Sequence, residues 1–312
     1  MEIEESELFG VFPAVVTPLT SSDRLMKENL RLHIQTLKKE GCQGFALLGT
    51  TGEGPSMGIN ERVEVIKVGI AEAKGSTILV GTGSPSLTDT IYLTQKAFEL
   101  GAKGVLVIPP YYYKNVSSDG VFIYYRRLID EAVPKNGKII LYHIPQLTQV
   151  PFTFELIERL LEYAPNQIAG IKDSSGSLEY LGELSKCYPN FGIFVGNDKL
   201  FLSGLELGAV GCITAPSNIL SPLLIEIFNT FNSGKDAGLL QNQLSLIRKV
   251  LEQYPPFPSS IKFLLSMRYK TKGWHLRPPL IPLSENEKRS LVNELIKIGA
   301  MNWLPWLEES FT

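Results

Sequence analysis

Short apolar runs alternate with longer segments of helical periodicity through the first two-thirds of the chain. In the longer segments, apolar residues recur three or four positions apart, as at Leu30, Ile34 and Leu37, which places them on one face of a helix. The short runs are apolar throughout rather than alternating, which is typical of strands covered on both faces in a parallel sheet. Eight such runs are present, at 11–18, 44–50, 77–83, 104–110, 138–144, 168–174, 192–197 and 209–216.

Eight strands that alternate with helices predict an α/β fold, a (β/α)8 TIM barrel. An open doubly wound sheet is the alternative that fits the same alternation. After about residue 218 the strand pattern stops and helical segments follow, at 218–232, 234–252, 258–270 and 284–300. We therefore expect residues 1–232 to form the catalytic barrel and residues 233–312 to form a C-terminal helical module.

Composition excludes several classes of function. Lys and Arg number 30 against 32 Asp and Glu, for a net charge of −2, and no basic run is present, so nucleic acid is not an expected partner. No apolar run is as long as a membrane-spanning helix, and the acidic N-terminus does not resemble a secretory signal. The three cysteines and three histidines show neither a C-x-x-C pair nor metal-ligand spacing. We expect a cytoplasmic protein without disulfides, membrane contact, metal or other cofactor.

Four of the predicted strands end in unusual residues. The second ends in the glycine-rich "GTTGEG" (49–54), the fourth in "PPYYYK" (109–114), the fifth in "YHIP" (142–145) and the sixth at Lys172. In barrels of this kind, catalytic groups lie at the C-terminal ends of the strands. These four ends would face one mouth of the barrel, which is therefore the candidate site.

Lys172 stands at the end of the otherwise apolar run "IAGIKDS" (168–174). It could extend out of the strand end to water or pair with Asp173. Alternatively, an apolar environment favours the neutral amine, which can attack a carbonyl and form a Schiff base. Tyr142, at the end of the neighbouring strand, also has two interpretations. It could be a core tyrosine with its hydroxyl at the rim of the barrel, or it could carry protons beside a reactive amine.

The "GTTGEG" segment offers the hydroxyl groups of Thr50 and Thr51 together with backbone N–H groups that glycine leaves accessible to an anion. An ordinary tight turn fits the same residues, and the segment lacks the spacing of a P-loop. The consecutive tyrosines 111–113 could pack in an interface or supply a proton-relay hydroxyl.

The motifs "GTTGE", "PPYYY", "YHIP", "GIKDSSG" and "GND" occur in an order and spacing that resemble the dihydrodipicolinate synthase/N-acetylneuraminate lyase family. The resemblance extends over residues 12–287. It implies a (β/α)8 barrel with a C-terminal helical extension. It also implies a lysine on the sixth strand that forms a Schiff base with pyruvate or another 2-oxo acid, and a tetramer built from two dimers.

The resemblance also assigns roles to individual residues. Lys172 matches the Schiff-base lysine, Tyr142 the tyrosine that works beside it, and Tyr112 the tyrosine that reaches a neighbouring subunit's site, with Tyr113 as the alternative. Thr50 and Thr51 match the threonines that bind the carboxylate, with Thr51 in the proton relay. The residues expected around the substrate are Pro13, Gly196 and Ile213.

Departures from the family pattern narrow the choice of substrate. Dihydrodipicolinate synthases usually carry, after the tyrosine motif, an arginine that binds the second substrate's carboxylate, and here 146–148 reads Gln-Leu-Thr. Sialic acid lyases usually carry an acid where this chain has Lys199. His143 replaces the usual asparagine, with no evident consequence. The segments "GTTGEGPS", "PYYY" and "RPPLIPL" are most similar to the 2-keto-3-deoxy sugar-acid aldolases.

We therefore expect a class I aldolase that makes or breaks a C–C bond between pyruvate and an aldehyde, with a 2-keto-3-deoxy sugar acid or a related hydroxy-2-oxo acid as product or substrate. Two alternatives stay open. One is 4-hydroxy-tetrahydrodipicolinate (dihydrodipicolinate) synthase. The other is a barrel that binds a 2-oxo acid without catalysis, since a fold alone does not fix function.

Overall fold

The computed structural model describes residues 8–310. Its strands are short and follow the predicted apolar runs: β1 (Gly10–Pro13), β2 (Gly44–Leu47), β3 (Thr77–Gly81), β4 (Gly104–Val107), β5 (Lys138–His143), β6 (Ile168–Asp173), β7 (Gly192–Val195) and β8 (Gly211–Thr214). Several runs continue as buried loop beyond their strand. Val16, for example, is fully buried, and its N–H donates to the side-chain oxygen of Asn218. A buried loop is as apolar as a strand, so the sequence pattern overestimates strand length.

Helices separate the strands and continue after the last one: α1 (Lys27–Lys39), α2 (Ile59–Glu72), α3 (Leu87–Glu99), α4 (Ser118–Ala132), α5 (Pro145–Thr148), α6 (Phe154–Tyr163), α7 (Leu178–Cys187), α8 (Phe201–Glu206), α9 (Ser217–Asn232), α10 (Gly238–Leu251), α11 (Phe257–Tyr269) and α12 (Glu285–Lys297). Short 3-10 helices lie at Gly54–Ser56, Asp198–Leu200, Ala300–Asn302 and Pro305–Ser310. The capping box at Ser284 and Glu287 explains why α12 begins where it does.

All paired strands are parallel, in the order β1-β8-β7-β6-β5-β4-β3-β2. The ring closes between β1 and β2 through a parallel bridge of Ala14 with Ala46, where the Val15 N–H donates to the Ala46 carbonyl at 2.9 Å. The predicted barrel is thus confirmed, and the pairing of β1 with β8 excludes the open doubly wound sheet. The division at residue 232 into barrel and module stays a prediction.

Strand side chains alternate between two cores, as the two-residue period of a strand requires. One core fills the barrel interior, with residues including Phe12, Ala46, Leu79, Leu106, Ile140, Phe194 and Ile213. The other lies between strands and helices, where the predicted face of α1 (Leu30, Ile34 and Leu37) is fully buried. Within residues 8–310, no helix combines the length and the apolar character needed to cross a membrane.

Candidate active site

Lys172 and Tyr142 face the barrel interior because each stands two residues beyond an interior position. Ile140 belongs to the interior core and Gly170 is its partner in the strand ladder, so the alternation turns both candidate side chains inward. Lys172 and Tyr142 are themselves ladder partners. The Lys172 Nζ lies 4.2 Å from the centre of the Tyr142 ring, and both residues are 5% exposed.

The Lys172 amine lies in apolar surroundings. Its ladder partner on the other side is Phe194, which is fully buried in the interior core. In the part of the chain that the structure describes, no carboxylate oxygen lies within ion-pair distance of this amine. Asp173, the partner considered from the sequence, points to the opposite face of the sheet and does not pair with Lys172. The amine thus lies at the barrel mouth without an ion-pair partner among residues 8–310, where it can reach a bound carbonyl group.

A second pair of side chains lies on the outer face of the same strand ends. His143 and Asp173 are the next ladder partners, and the His143 Nδ1 lies 3.0 Å from an Asp173 carboxylate oxygen. Asp173 also accepts hydrogen bonds from the backbone N–H and the hydroxyl of Ser175, both at 3.0 Å. The ring of Tyr180 in α7 lies 4.7 Å from the His143 ring. Burial, followed by the negative charge of Asp173, raises the pKa of Tyr180.

Thr50 connects the glycine-rich loop to the tyrosine. Its hydroxyl lies 3.1 Å from the Tyr142 hydroxyl. Thr51, the residue expected in the proton relay, is 8% exposed, and the hydrogen bond to Tyr142 is made by Thr50 instead. The loop is compact because Gly54 packs on the backbone of the preceding strand end, where a Cβ atom would lie 2.1 Å from the Leu48 carbonyl oxygen. Only glycine fits at this position.

The other residues expected near the substrate divide into two groups. Ile213 is fully buried in the barrel interior. Gly196 follows β7 and donates its N–H to the Asp173 carbonyl at 2.7 Å, and a Cβ atom there would lie 2.1 Å from the Ser174 hydroxyl. Pro13 differs, because Phe12 and Ala14 on either side of it belong to the interior core. The inward positions at this strand end are thus Phe12 and Ala14, and a place for Pro13 beside the substrate stays a prediction.

The exposed aromatic residues lie on the loop that follows β4. Tyr112 and Tyr113 are each 71% exposed, and their rings meet edge to face with centres 5.2 Å apart. Leu147, in α5 after β5, is 56% exposed. Large exposed side chains of this kind are typical of interaction surfaces.

Two lysines that follow strand ends, Lys114 and Lys199, are engaged by other groups. The amine of Lys114 donates to the carbonyl oxygens of Tyr111 and Thr148. The amine of Lys199 lies 2.9 Å from a carboxylate oxygen of Glu252 in α10. The aspartate of the "GND" motif, Asp198, is fully buried and paired with Arg248, and burial raises its pKa. Across residues 8–310, no group of three or more His, Cys, Asp or Glu residues could hold a metal ion.

The model of the Dihydrodipicolinate synthetase family matches residues 7–298. The chain belongs to this family. The resemblance noted in the sequence is thus confirmed, and with it the class of activity: as a member of the dihydrodipicolinate synthetase family, the protein is a carbon–carbon lyase of the pyruvate-dependent aldolase class.

Members of the family that are similar to this chain carry different names. A protein of Chloroflexus aurantiacus named an uncharacterized DapA-like lyase is 38% identical over 283 residues, which cover 90% of this chain and 94% of that protein. The 4-hydroxy-tetrahydrodipicolinate synthase of Methanococcoides burtonii is 32% identical over 297 residues, 94% of this chain and 99% of the relative. YagE, a prophage protein of the dihydrodipicolinic acid synthase family from E. coli K12 solved with pyruvate, superimposes with a TM-score of 0.89 at 28% identity, covering 94% of this chain and 99% of YagE.

Proposed function

We propose that this protein is a Schiff-base aldolase in which pyruvate, or another 2-oxo acid, becomes attached to Lys172. One observation carries the proposal. The Lys172 amine is buried without a carboxylate partner among residues 8–310, against the ring of Tyr142 and beside Phe194. Simple binding of a 2-oxo acid does not need an amine placed beside a tyrosine hydroxyl, whereas Schiff-base formation needs both, so this arrangement favours catalysis over simple binding. The pyruvate complex of YagE supports the choice of substrate.

The geometry suggests how the steps are shared. The neutral Lys172 amine attacks the keto carbon of pyruvate and forms a carbinolamine. The Tyr142 hydroxyl, held by Thr50 at 3.1 Å, carries protons to the departing hydroxide, and water leaves as the imine forms. Loss of a proton from the adjacent methyl carbon gives an enamine, which attacks the aldehyde carbon to make the new C–C bond. Water then releases the hydroxy-2-oxo acid and restores the amine. The two threonine hydroxyls, with backbone N–H groups of residues 50–52, bind the carboxylate.

We further propose a 2-keto-3-deoxy sugar acid, or a related hydroxy-2-oxo acid, as the product or substrate. A second substrate with its own carboxylate would need a cation, and residues 146–148 supply none. Leu147 is exposed where an arginine would stand, while Lys114 and Lys199 are engaged by other groups. A neutral polyhydroxy aldehyde needs no such partner. Dihydrodipicolinate synthase is the second candidate, favoured by the 32% identity to the Methanococcoides burtonii enzyme.

We also propose a homotetramer, a dimer of dimers, in which Tyr112 enters a neighbouring subunit's active site. The exposed edge-to-face pair of Tyr112 and Tyr113 supports this, because aromatic side chains are enriched in interface cores. Light scattering together with activity at working concentrations tests the proposal. A fully active monomer would contradict it.

Reduction of the protein with borohydride in the presence of pyruvate tests the central proposal. The imine becomes a stable secondary amine, and peptide mass spectrometry then locates the modified residue. We expect modification at Lys172 and none at the control Lys199, which also follows a strand end. Absence of any adduct, or an adduct that persists in Lys172→Met, would overturn the mechanism and favour the binding protein.

A further inference from the structure

Glu53 closes the glycine-rich loop, and its carboxylate is held by the C-terminal part of the chain. Glu53 is 2% exposed and forms an ion pair with Lys262 of α11. Its second carboxylate oxygen accepts the backbone N–H of Arg277 at 2.9 Å. Two segments that follow the barrel therefore meet on a single side chain of the candidate active-site loop.

The Lys262 amine is as deeply buried as its partner. Lys262 is 1% exposed and donates a second hydrogen bond, at 2.7 Å, to the His275 carbonyl. Burial lowers the pKa of Lys262, and the Glu53 carboxylate opposes that effect. Loss of either partner of so deeply buried a pair leaves an uncompensated buried charge. Substitution of either residue is therefore expected to be strongly destabilising.

Arg277 fixes the next residues of the same loop. Its guanidinium donates to the Ser56 carbonyl at 2.9 Å and forms two hydrogen bonds, at 2.7 and 2.8 Å, with the Glu61 carboxylate at the start of α2. The loop is thereby held at Glu53 and at Ser56 by residues that lie far beyond the barrel strands in sequence.

Through its backbone, Glu53 is connected to Thr50 and Tyr142, the two residues proposed to carry protons. The Glu53 N–H donates to the Thr50 carbonyl at 3.1 Å, and the Thr50 hydroxyl lies 3.1 Å from that of Tyr142. Glu53 has a φ of +56°, in the left-handed region that residues other than glycine rarely adopt. Such a conformation persists only where its surroundings determine it, and here the ion pair and the Arg277 N–H supply that determination.

We infer that Lys262 and Arg277 are positioning residues that act through Glu53 to hold the Thr50 hydroxyl against Tyr142. The segment after the barrel thus determines the proton-transfer geometry of the active site, although none of its residues among these contacts reaches Lys172. This inference rests on the proposed Schiff-base function, in which Tyr142 and Thr50 carry protons.

The chain offers a matched control. Arg268 lies on the same helix, α11, and forms an ion pair with Glu40, which follows α1 in the barrel. Both pairs join α11 to the barrel, and only one of them touches the glycine-rich loop. Lys262→Met and Arg268→Met should therefore both lower thermal stability, and only the first should alter the loop.

The experiment measures the rate at which pyruvate is trapped on Lys172 by borohydride, a readout that needs no knowledge of the aldehyde. It uses the full chain, well below the unfolding midpoint of each variant. We expect Lys262→Met to slow trapping by roughly tenfold or more, the scale of a small misplacement in an active site, and Arg268→Met to leave it within about twofold. Hydrogen exchange of residues 49–56 provides a second readout, and it should increase in Lys262→Met alone.

Combination with Thr50→Val distinguishes positioning from general stabilisation. If Lys262 acts through Thr50, the two substitutions are not additive, and Thr50→Val costs little more once Lys262 is lost. In the Arg268→Met background, Thr50→Val should keep its full effect. Additive losses, or unchanged exchange of the loop in Lys262→Met, would overturn the inference. Failure of the unmodified protein to form any adduct would instead overturn the proposed function, so the two failures are distinguishable.

Discussion

Two pairs of side chains stand one residue apart at the ends of β5 and β6 and face opposite directions. Tyr142 and Lys172 face the barrel interior, whereas His143 and Asp173, the next ladder partners, face the helices. The outer pair is matched, with 3.0 Å between imidazole nitrogen and carboxylate. The inner pair places an amine against an aromatic ring and, within residues 8–310, no carboxylate.

The difference shows how one strand end can carry both stability and reactivity. On the outer face, the His143 imidazole and the Asp173 carboxylate are engaged with each other at 3.0 Å. The Lys172 amine on the inner face has no carboxylate partner among residues 8–310, so it is available to attack a carbonyl carbon. Because successive side chains of a strand point to opposite faces, the Asp173 carboxylate does not form an ion pair with the amine of Lys172, the residue before it in sequence. If the two faces are as distinct in function as in geometry, substitutions on the inner face should lower activity and substitutions on the outer face should lower stability.

The largest expected effect comes from removing the inner amine. Lys172→Met retains a long, unbranched side chain but has no nucleophile, so we expect turnover to fall by roughly 10³-fold or more, the scale for loss of a catalytic nucleophile. Lys199→Met is the control and should keep most of the activity. Steady-state assays of pyruvate release from a hydroxy-2-oxo acid provide the measurement. Substantial activity in Lys172→Met would mean that the inner pair is not the reactive one.

The second effect concerns the proton relay. Tyr142→Phe and Thr50→Val each remove one hydroxyl with little change in volume, and we expect each to lower turnover by about 10²-fold, as is typical for proton-transfer groups. Thr51→Val should have the smaller effect, because Thr50 makes the contact with Tyr142. If Thr51→Val were the more damaging of the two, the relay would pass through Thr51, as expected from the sequence. Losses below about fivefold in all three variants would make these residues structural.

The next largest effect is expected at Leu147, on the rim of the barrel mouth, where the aldehyde substrate would bind. Aspartate semialdehyde would bring a carboxylate to a rim where Leu147 offers no donor. An unpaired desolvated carboxylate costs on the order of 1–3 kcal/mol or more, which is roughly tenfold to hundredfold in kcat/KM. We therefore expect glyceraldehyde to be used better than aspartate semialdehyde with pyruvate in the same buffer. Leu147→Arg should narrow the gap.

The outcome of that comparison also decides the branch of the family. A tenfold preference for aspartate semialdehyde in the unmodified protein would establish the synthase reaction and overturn the sugar-acid proposal. A response to Leu147→Arg without such a preference would identify residue 147 as a specificity determinant of this site.

The sequence sufficed for those features that depend on local periodicity and on recognisable motifs. The barrel and the meeting of Tyr142 with Lys172 follow from eight apolar runs and a two-residue period. The same period could also have placed His143 and Asp173 on the outer face, since each directly follows an inward residue. The sequence could not show whether Thr50 or Thr51 hydrogen-bonds to Tyr142. The loop has no regular period, and the directions of its side chains depend on residues with left-handed backbone conformations.

Contacts between distant segments were equally hidden from the sequence. Glu53 and Arg277 were each visible as part of a motif and Lys262 as part of a helical segment, but no local pattern indicated that the three residues meet. A buried lysine in a helix has no local signature until the fold brings an acid to it. Which residue around Pro13 faces the barrel interior was hidden for a related reason: motif matching does not determine which of two adjacent residues faces inward, and in the structure Phe12 and Ala14 belong to the interior core.

The smallest expected effect on catalysis comes from the outer pair, and it tests the comparison most directly. His143→Phe keeps an aromatic ring beside Phe152 and Tyr180 but removes the partner of Asp173. Asp173 keeps its two hydrogen bonds from Ser175, so we expect the free energy of unfolding to fall by about 1–3 kcal/mol, the cost of losing one buried hydrogen bond to a charged group. Turnover should change by less than about fivefold, because neither outer side chain reaches the barrel interior.

Denaturant unfolding and steady-state kinetics on the same preparations measure the free energy of unfolding and the turnover rate, with Tyr142→Phe as the reference for the inner face. If His143→Phe lowered turnover as much as Tyr142→Phe while stability stayed the same, the outer pair would be part of the chemistry, and the separation of roles between the two faces would be wrong.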